Sequence, residues 1–203
     1  MIDVGANAGQ YASDLRRFGY RGEIISFEPL SEAYRELAHR AAGDPHWHTQ
    51  HMALGCEAGS AIINISANSV SSSLRPMTDR CERAAPESKY EGTQLVKVER
   101  LDEALAGFPS HTGGTLLKID TQGFEREVLL GAPELMKQVT GVQLELSLTS
   151  LYSGQMLVDE AMRMMMDHGL RLTSIEPGFG DSETGEMLQF DGFFFRDTEA
   201  DPA

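Results

Sequence analysis

The apolar residues of this chain follow two alternating patterns. Short runs rich in β-branched and aromatic residues alternate with longer stretches in which apolar positions recur every three or four residues. The short runs predict strands and the longer stretches predict helices. This alternation is typical of βαβ units, in which helices cover both faces of a mostly parallel sheet. We therefore predict a doubly wound, Rossmann-like α/β fold.

The first unit consists of a strand over residues 1–4, a glycine turn and a helix. Tyr11, Leu15 and Phe18 share one face of this helix, and Gly19 ends it. The second unit repeats the pattern with a strand over residues 23–27 and a helix that Ser31 is predicted to cap. Further strands are predicted at residues 48–54, 61–65, 95–98, 116–119, 142–148, 170–175 and 188–195, and further helices at 124–130 and 157–168.

The end of the chain predicts a change of strand direction. Residues 189–196 follow the preceding strand after a short glycine-rich loop, so they are expected to pair antiparallel near the edge of the sheet. Residues 1–196 are expected to form one domain, and residues 197–203 a frayed tail. Residues 67–93 show no sustained period, and two interpretations stay open for them: a cover over the active site, or surface disorder.

Charge and composition exclude several classes of protein. A formal net charge of -14 disfavours binding to nucleic acid or to an anionic membrane surface. Cys56 and Cys81 stand apart, without the spacing of a disulfide framework or a thiolate metal site. No run approaches the length of a membrane span, and the N-terminus carries no secretory signal. We expect a cytoplasmic protein without a metal site.

The first candidate site is the turn at residues 3–9, Asp-Val-Gly-Ala-Asn-Ala-Gly, between the first strand and its helix. Gly5 and Gly9 permit a sharp turn and let a ligand lie against the backbone, and the start of the helix favours an anionic group. A dinucleotide fingerprint would carry glycine where Asn7 stands. The turn therefore favours S-adenosylmethionine over NAD, although a glycine turn of purely geometric purpose stays open.

Three carboxylates are predicted near the ends of other strands. Glu28 follows the second strand, where its two oxygens could accept both hydroxyls of a ribose. Asp120 follows the strand at residues 116–119, on the same rim as Gly5 and Glu28. Glu145 lies within an otherwise apolar strand, so it needs a partner or a raised pKa. Asp120 is the first candidate for a general base and Glu145 the second.

Histidine offers a competing interpretation, because His46, His48 and His51 surround Trp47. The three histidines match no metal signature and are predicted to lie away from the carboxyl rim, so a structural or solvent-facing role is favoured.

The sequence resembles the FkbM family of methyltransferases. The resemblance rests on blocks that occur in order along nearly the whole chain, at residues 2–11, 26–29, 53–55, 72–74, 101–102, 117–125 and 143–145. It implies a seven-stranded class I methyltransferase fold, S-adenosylmethionine as cofactor, and O-methylation of a hydroxyl on a sugar or secondary metabolite. Thr121 departs from the small aliphatic residue common in the family, and members generally have residues ahead of the first strand.

The resemblance also implies a set of cofactor contacts, with Ala53 near the adenine. Together with the turn and the rim, the expected cofactor-binding residues are Asp3, Gly5, Ala6, Asn7, Gly9, Tyr11, Glu28, Pro29, Ala53 and Asp120. The expected partner is a small-molecule or saccharide acceptor. Two functions of other classes stay open: an NAD-dependent oxidoreductase on a related fold, and a nucleotide-binding domain without catalysis.

Overall fold

The structure of the protein, a computed structural model, describes residues 1–108 and 114–196. The strands are β1 (Ile2–Val4), β2 (Ile24–Phe27), β3 (Trp47–Gln50), β4 (Ala53–Leu54), β5 (Gly59–Ser66), β6 (Tyr90–Glu99), β7 (Leu116–Ile119), β8 (Gly141–Ser147), β9 (Leu170–Pro177) and β10 (Gln189–Arg196). The helices are α1 (Gln10–Arg17), α2 (Ser31–Ala41), α3 (Asp79–Ala84), α4 (Leu101–Ala104), α5 (Glu125–Leu130), α6 (Pro133–Met136) and α7 (Val158–Asp167). The predicted frayed tail lies outside the described residues.

Seven of these strands form one sheet in the order β3-β2-β1-β7-β8-β10-β9. Strand β10 runs antiparallel to both of its neighbours, β8 and β9, and the other pairs are parallel. The predicted mostly parallel sheet with one reversed strand near its edge is confirmed. The chain builds outward from β1 to β3 and then returns to β7, so the order reverses between β1 and β7. Open α/β sheets bind ligands at such a reversal, beyond the carboxyl ends of the strands.

Three of the described strands, β4, β5 and β6, do not belong to the main sheet. The predicted strand at residues 48–54 divides into β3 and β4, and β4 forms a second sheet with β6 and β5. The break has a physical reason. Gln50 of β3 pairs with Phe27, the last residue of β2, so β3 has no strand to pair with beyond Gln50. The predicted strands at 61–65 and 95–98 lie in this smaller sheet as an antiparallel pair.

The main core lies on the face of the sheet that α5, α6 and α7 cover. Leu117, Ile119 and Leu144 are fully buried there, together with Val128 and Met165 from the helices. On the other face, α1 and α2 bury Ala12 and Leu37. Because both faces of the central strands are covered, these strands consist of nearly continuous apolar runs. None of the described helices has the length and apolar composition that crossing a bilayer requires.

Two predicted helix features are wrong. Helix α1 ends at Arg17, so Phe18 follows the last helical turn and its side chain is 82% exposed instead of packed on the apolar face. Ser31 is the first residue of α2 and makes no side-chain cap; Leu30 occupies the N-cap position in an extended conformation.

The segment at residues 67–93 contains more regular structure than its sequence pattern indicates. It includes α3, a 3₁₀ turn at Pro86–Ser88 and the beginning of β6. Helix α3 has six residues, and Thr78 caps it by accepting a hydrogen bond from the Cys81 N–H. A helix of that length spans less than two turns, which is too short to show a hydrophobic period.

The turn after β1 is held close to the end of β7. Gly5 has a φ of 76°, and a Cβ added to it would lie 1.8 Å from the backbone oxygen of Asp120. The Gly5 and Ala6 N–H groups both donate to the Phe27 carbonyl at the end of β2. The turn therefore joins the ends of β1, β2 and β7.

We predict that Gly5→Ala lowers the free energy of unfolding by about 2–4 kcal/mol, because the methyl group meets backbone and the left-handed conformation strains alanine. Urea denaturation measures the change. The matched control is Gly43→Ala, since a Cβ there meets nothing within 4 Å. Equal stability of the two variants would contradict the packing described for this turn.

Candidate functional site

Glu28 lines a cleft beyond the carboxyl ends of β1, β2 and β7. Its Oε2 accepts a hydrogen bond of 2.8 Å from the Asn7 N–H, and its Oε1 accepts one of 2.8 Å from the Leu30 N–H. The residue is 5% exposed. Burial raises the pKa of Glu28 to about 7, against the opposing effect of these two hydrogen bonds. Each oxygen keeps a further lone pair that a ligand hydroxyl could use.

This cleft, called the first cleft below, holds about 690 Å³ of empty space. Six of the expected site residues line it: Gly5, Asn7, Glu28, Pro29, Ala53 and Asp120. The prediction that Gly5, Glu28 and Asp120 share one rim is thus confirmed. None of the described residues lining the first cleft is basic.

The segment before α3 covers part of the first cleft. Ser69, Val70, Ser72 and Leu74 are among its lining residues. Ser73 fastens this segment to the end of β7, because its Oγ donates a 2.6 Å hydrogen bond to the Gln122 carbonyl. The interpretation of residues 67–93 as a cover therefore holds for this part of the segment.

Four of the expected cofactor-binding residues do not line the first cleft. Asp3 is 0% exposed beneath it, Ala6 is buried in the turn, and Tyr11 donates its hydroxyl proton to Gln143 over 2.6 Å. Gly9 is required by helix packing, since a Cβ there would lie 2.8 Å from a methyl group of Leu37. Their roles in cofactor binding stay predictions.

The N–H groups of the turn have partners within the chain. The Gly5 and Ala6 groups donate to Phe27, the Asn7 group to Glu28, the Ala8 group to the Asn7 side chain and the Gly9 group to Ala6. The turn itself thus leaves no N–H free for an anionic group, which the sequence pattern does not show.

Asp3 and Lys118 form a buried ion pair under the cleft. They are neighbours in the register of β1 and β7, and Lys118 Nζ lies 3.3 Å from Asp3 Oδ1 and 3.7 Å from Asp120 Oδ2. Burial acts to lower the pKa of Lys118, but the charges of the two carboxylates outweigh it and raise the pKa. Lys118 therefore stays charged and holds Asp3 in place.

Gln122 links the two candidate bases. Its Nε2 donates to Asp120 Oδ1 over 2.8 Å and to Glu145 Oε2 over 3.0 Å. The Tyr152 hydroxyl donates to Gln122 Oε1 over 2.8 Å, which orients the amide with its nitrogen toward the carboxyl groups. Burial and the negative charges of Asp120 and Glu125 raise the pKa of Glu145 well above its ordinary value. The sequence predicted that Glu145 needs a partner or a raised pKa, and Glu145 has both.

Glu125 stabilises the backbone turn that follows Asp120. Its Oε1 accepts hydrogen bonds from the N–H groups of Thr121 and Gly123 and from the Thr121 hydroxyl. The residue is 3% exposed. Glu125 therefore holds the turn on which Gln122 sits, and Thr121, the departure from the family pattern, contributes to the same contact.

A second cleft adjoins the first and holds about 710 Å³ of empty space. The two clefts share Val70, Asp120 and Gln122. Glu145 and Tyr152 line only the second. Asp120 thus stands at the junction of the two spaces.

The histidines are separated by their contacts. His46 and His48 both pair with Glu23, and hydrogen bonds with these two rings lower the pKa of Glu23. His51 follows β3 instead of preceding it, stacks on Tyr34 and contacts the Pro29 carbonyl. The expectation that all three lie away from the carboxyl ends is therefore wrong for His51. In residues 1–108 and 114–196, no group of three or more His, Cys, Asp and Glu side chains is arranged to hold a metal ion.

Several lining residues carry no signal in the sequence. Ser69 and Val70 come from the irregular cover, and Tyr152 and Gln189 come from distant parts of the chain. Gln122 could have been found, because it stands beside Asp120 and takes a φ of 53° in the turn before a helix. A non-glycine residue in that conformation is worth inspection as a functional position.

The sequence profile of the family described as the methyltransferase FkbM domain matches residues 3–172. The chain belongs to the FkbM methyltransferase family. No curated protein matches the chain significantly. The family of the chain and the rim of its first cleft agree with the resemblance found in the sequence.

Solved methyltransferase structures share the fold. FkbM from Methylobacillus flagellatus KT has a TM-score of 0.56 and 14% identity, and the match covers 96% of this chain and 43% of that one. TehB from Haemophilus influenzae has a TM-score of 0.51 and 8% identity, and the match covers 97% of this chain and 57% of that one. The present chain thus spans less than two thirds of the length of either of these two proteins. The expected class I methyltransferase fold is confirmed.

We predict that Lys118→Met lowers the free energy of unfolding by about 3–5 kcal/mol at pH 7, because it leaves the Asp3 carboxylate buried without its partner. The double variant with Asp3→Asn should recover at least half of that loss, since it removes both charges. Denaturant titrations measure both values.

The control for this prediction is Lys137→Met, because Lys137 pairs with Glu134 at an exposed site. This variant should change stability by about 0.5 kcal/mol or less. A double variant no more stable than Lys118→Met would show that the pair does not act as described.

Proposed function

We propose that residues 1–196 form one S-adenosylmethionine-dependent methyltransferase domain that methylates a hydroxyl group of a small molecule or saccharide. One observation carries the proposal: the Gly5 turn, the buried Glu28 carboxylate and Asp120 meet at one cleft whose described lining has no basic side chain. A nucleoside that bears a positive charge and no phosphate suits such a cleft.

The residues of the first cleft fit this cofactor. The unused lone pairs of Glu28 suit the two hydroxyls of a ribose. Ala53, Leu54 and Ile63 supply an apolar wall for a purine ring. The carboxylate of Asp120, at the other end of the cleft, favours a cationic sulfonium. Asp3, Ala6, Gly9 and Tyr11 support this site from beneath in the proposed arrangement.

The cofactor supplies a methyl group that is electrophilic because its sulfur carries a positive charge. The protein positions the acceptor hydroxyl and receives its proton. Asp120 is the better base, since it lies at the junction of the two clefts, whereas Glu145 lines only the second. Gln122 holds the two carboxyl groups in a fixed relation.

The alternative functions receive less support. An NAD-dependent oxidoreductase binds a pyrophosphate, and the described lining of the first cleft offers no basic side chain to balance its charge. A binding domain without catalysis would not need a carboxylate such as Asp120 at the junction of two clefts. We infer that the acceptor is not nucleic acid, given the net charge of -14, and we expect a cytoplasmic location from the two unpaired cysteines.

We predict that cofactor affinity falls as the pH falls below about 7. The ribose hydroxyls donate to the ionised form of Glu28, and this carboxyl holds a proton below its pKa of about 7. The dissociation constant of S-adenosylmethionine should rise up to about tenfold for each pH unit below 7 and level off above pH 8. Isothermal titration calorimetry between pH 5.5 and 8.5 measures this dependence.

The matched variants for this experiment are Glu28→Gln and, as a control, Glu32→Gln in the first turn of α2. Glu28→Gln should bind the cofactor at least tenfold more weakly, without the pH dependence, and Glu32→Gln should bind as the parent does. Stabilisation by NAD, without stabilisation by S-adenosylmethionine or S-adenosylhomocysteine, would refute the proposed function.

A further prediction concerns Asp120→Asn. If Asp120 receives the acceptor proton, kcat should fall by about 10²–10⁴-fold while the dissociation constant of the cofactor rises by a much smaller factor. The measurement uses an acceptor identified by screening with radiolabelled methyl donor. A larger effect on cofactor binding than on kcat would mean that Asp120 only holds the cofactor.

A further inference from the structure

The second cleft has the position required of an acceptor site. It opens beside the first cleft and meets it at Asp120 and Gln122. Beyond the residues shared with the first cleft, its walls come from β8, β10, the cover segment and the turn at Tyr152. A ligand here would place a hydroxyl beside Asp120.

Every charged residue in the described lining of the second cleft is acidic. Glu87, Asp120 and Glu145 contribute carboxyl groups, and none of the described lining residues is Lys, Arg or His. Lys118, the cation near Asp120, is engaged with the buried Asp3. An anionic group in this space would meet three carboxyl groups, of which Asp120 alone has a cation beside it, Lys118 at 3.7 Å.

Glu145 is held in place but lacks a cationic partner. Its Oε2 accepts hydrogen bonds from the side-chain amides of Gln122, over 3.0 Å, and Gln189, over 2.7 Å. Its Oε1 has no hydrogen-bond partner among residues 1–108 and 114–196, and no Lys, Arg or His in those ranges forms an ion pair with it. A rigid carboxyl group with one unused oxygen at a cleft is suited to bind a donor group of the ligand.

The remaining lining suits a ring that carries hydroxyl groups. Asn68, Ser71 and Ser88 form a hydrogen-bonded polar group in its lining, and Tyr152 and Phe179 add aromatic surface. Amides and hydroxyls both donate and accept hydrogen bonds, as a polyol does. Aromatic surface matches the C–H faces of a saturated ring.

Resting on the proposed function, we infer that the methyl acceptor is a polyhydroxylated amine, such as an amino sugar or an aminocyclitol, whose ammonium group binds Glu145. Its ammonium group supplies the cation that Glu145 lacks. The reacting hydroxyl then lies beside Asp120, and sugar phosphates and sugar acids are excluded by the three carboxyl groups.

The test compares three probes that differ in charge: glucosamine, glucose and glucose 6-phosphate. Ligand-observed NMR titrations at pH 7.5 use the full chain saturated with S-adenosylhomocysteine. We expect glucosamine to bind at least tenfold more tightly than glucose, and glucose 6-phosphate to bind more weakly than either. Glu145→Gln should bring glucosamine to within about twofold of glucose.

The matched control is Glu36→Gln, which makes the same change of charge at an exposed position of α2 and should keep the preference for glucosamine. A measurement without substitution locates the site: glucosamine should shift the side-chain amide NMR signals of Gln122 and Gln189 in the unmodified protein. Equal binding of glucosamine and glucose, or a preference that survives Glu145→Gln, would overturn the inference.

The two proposals fail separately. Calorimetry with S-adenosylhomocysteine alone tests the first cleft, and the probe titrations repeated without this ligand test the second. Absence of S-adenosylhomocysteine binding refutes the proposed function whatever the probes do. Normal S-adenosylhomocysteine binding without a preference for glucosamine refutes only the amine acceptor.

Discussion

The buried ion pair of Asp3 and Lys118 is the constraint on which the rest of the site depends. The two residues are opposite each other in the central strands β1 and β7, and neither charge has access to water. Charges in such a place must stay paired, which fixes the relation of the two strands. The turn with Gly5 follows one strand and Asp120 follows the other, so the ion pair below them fixes how closely the two approach.

Much of the rim of the first cleft could be predicted because it depends on local sequence and on one rule of topology. Each of Gly5, Glu28 and Asp120 follows directly after an apolar run that reads as a strand. Parallel strands bring their carboxyl ends to the same edge, so residues from separate βα units meet there without any knowledge of side-chain contacts. The same reasoning predicted the reversed strand β10, since a short loop leaves no room for a crossover.

The rest could not be predicted because it depends on pairings between distant segments. The strand alternation that places Val142 and Leu144 in the core puts Gln143 and Glu145 on the opposite face, but only the register with β10 shows that Gln189 approaches Glu145. Burial also separates residues that a motif groups together. Gly9 belongs to the glycine turn by sequence, yet its contact is with α2.

Val70 forms part of the wall of both clefts. A movement of the Val70 side chain therefore alters both cavities. A ligand that immobilises Val70 from one cavity changes the conformational entropy that is lost when the other cavity is filled. Such linkage is reciprocal: two ligands that fill the two cavities would change each other's affinity by the same factor, without direct contact between them.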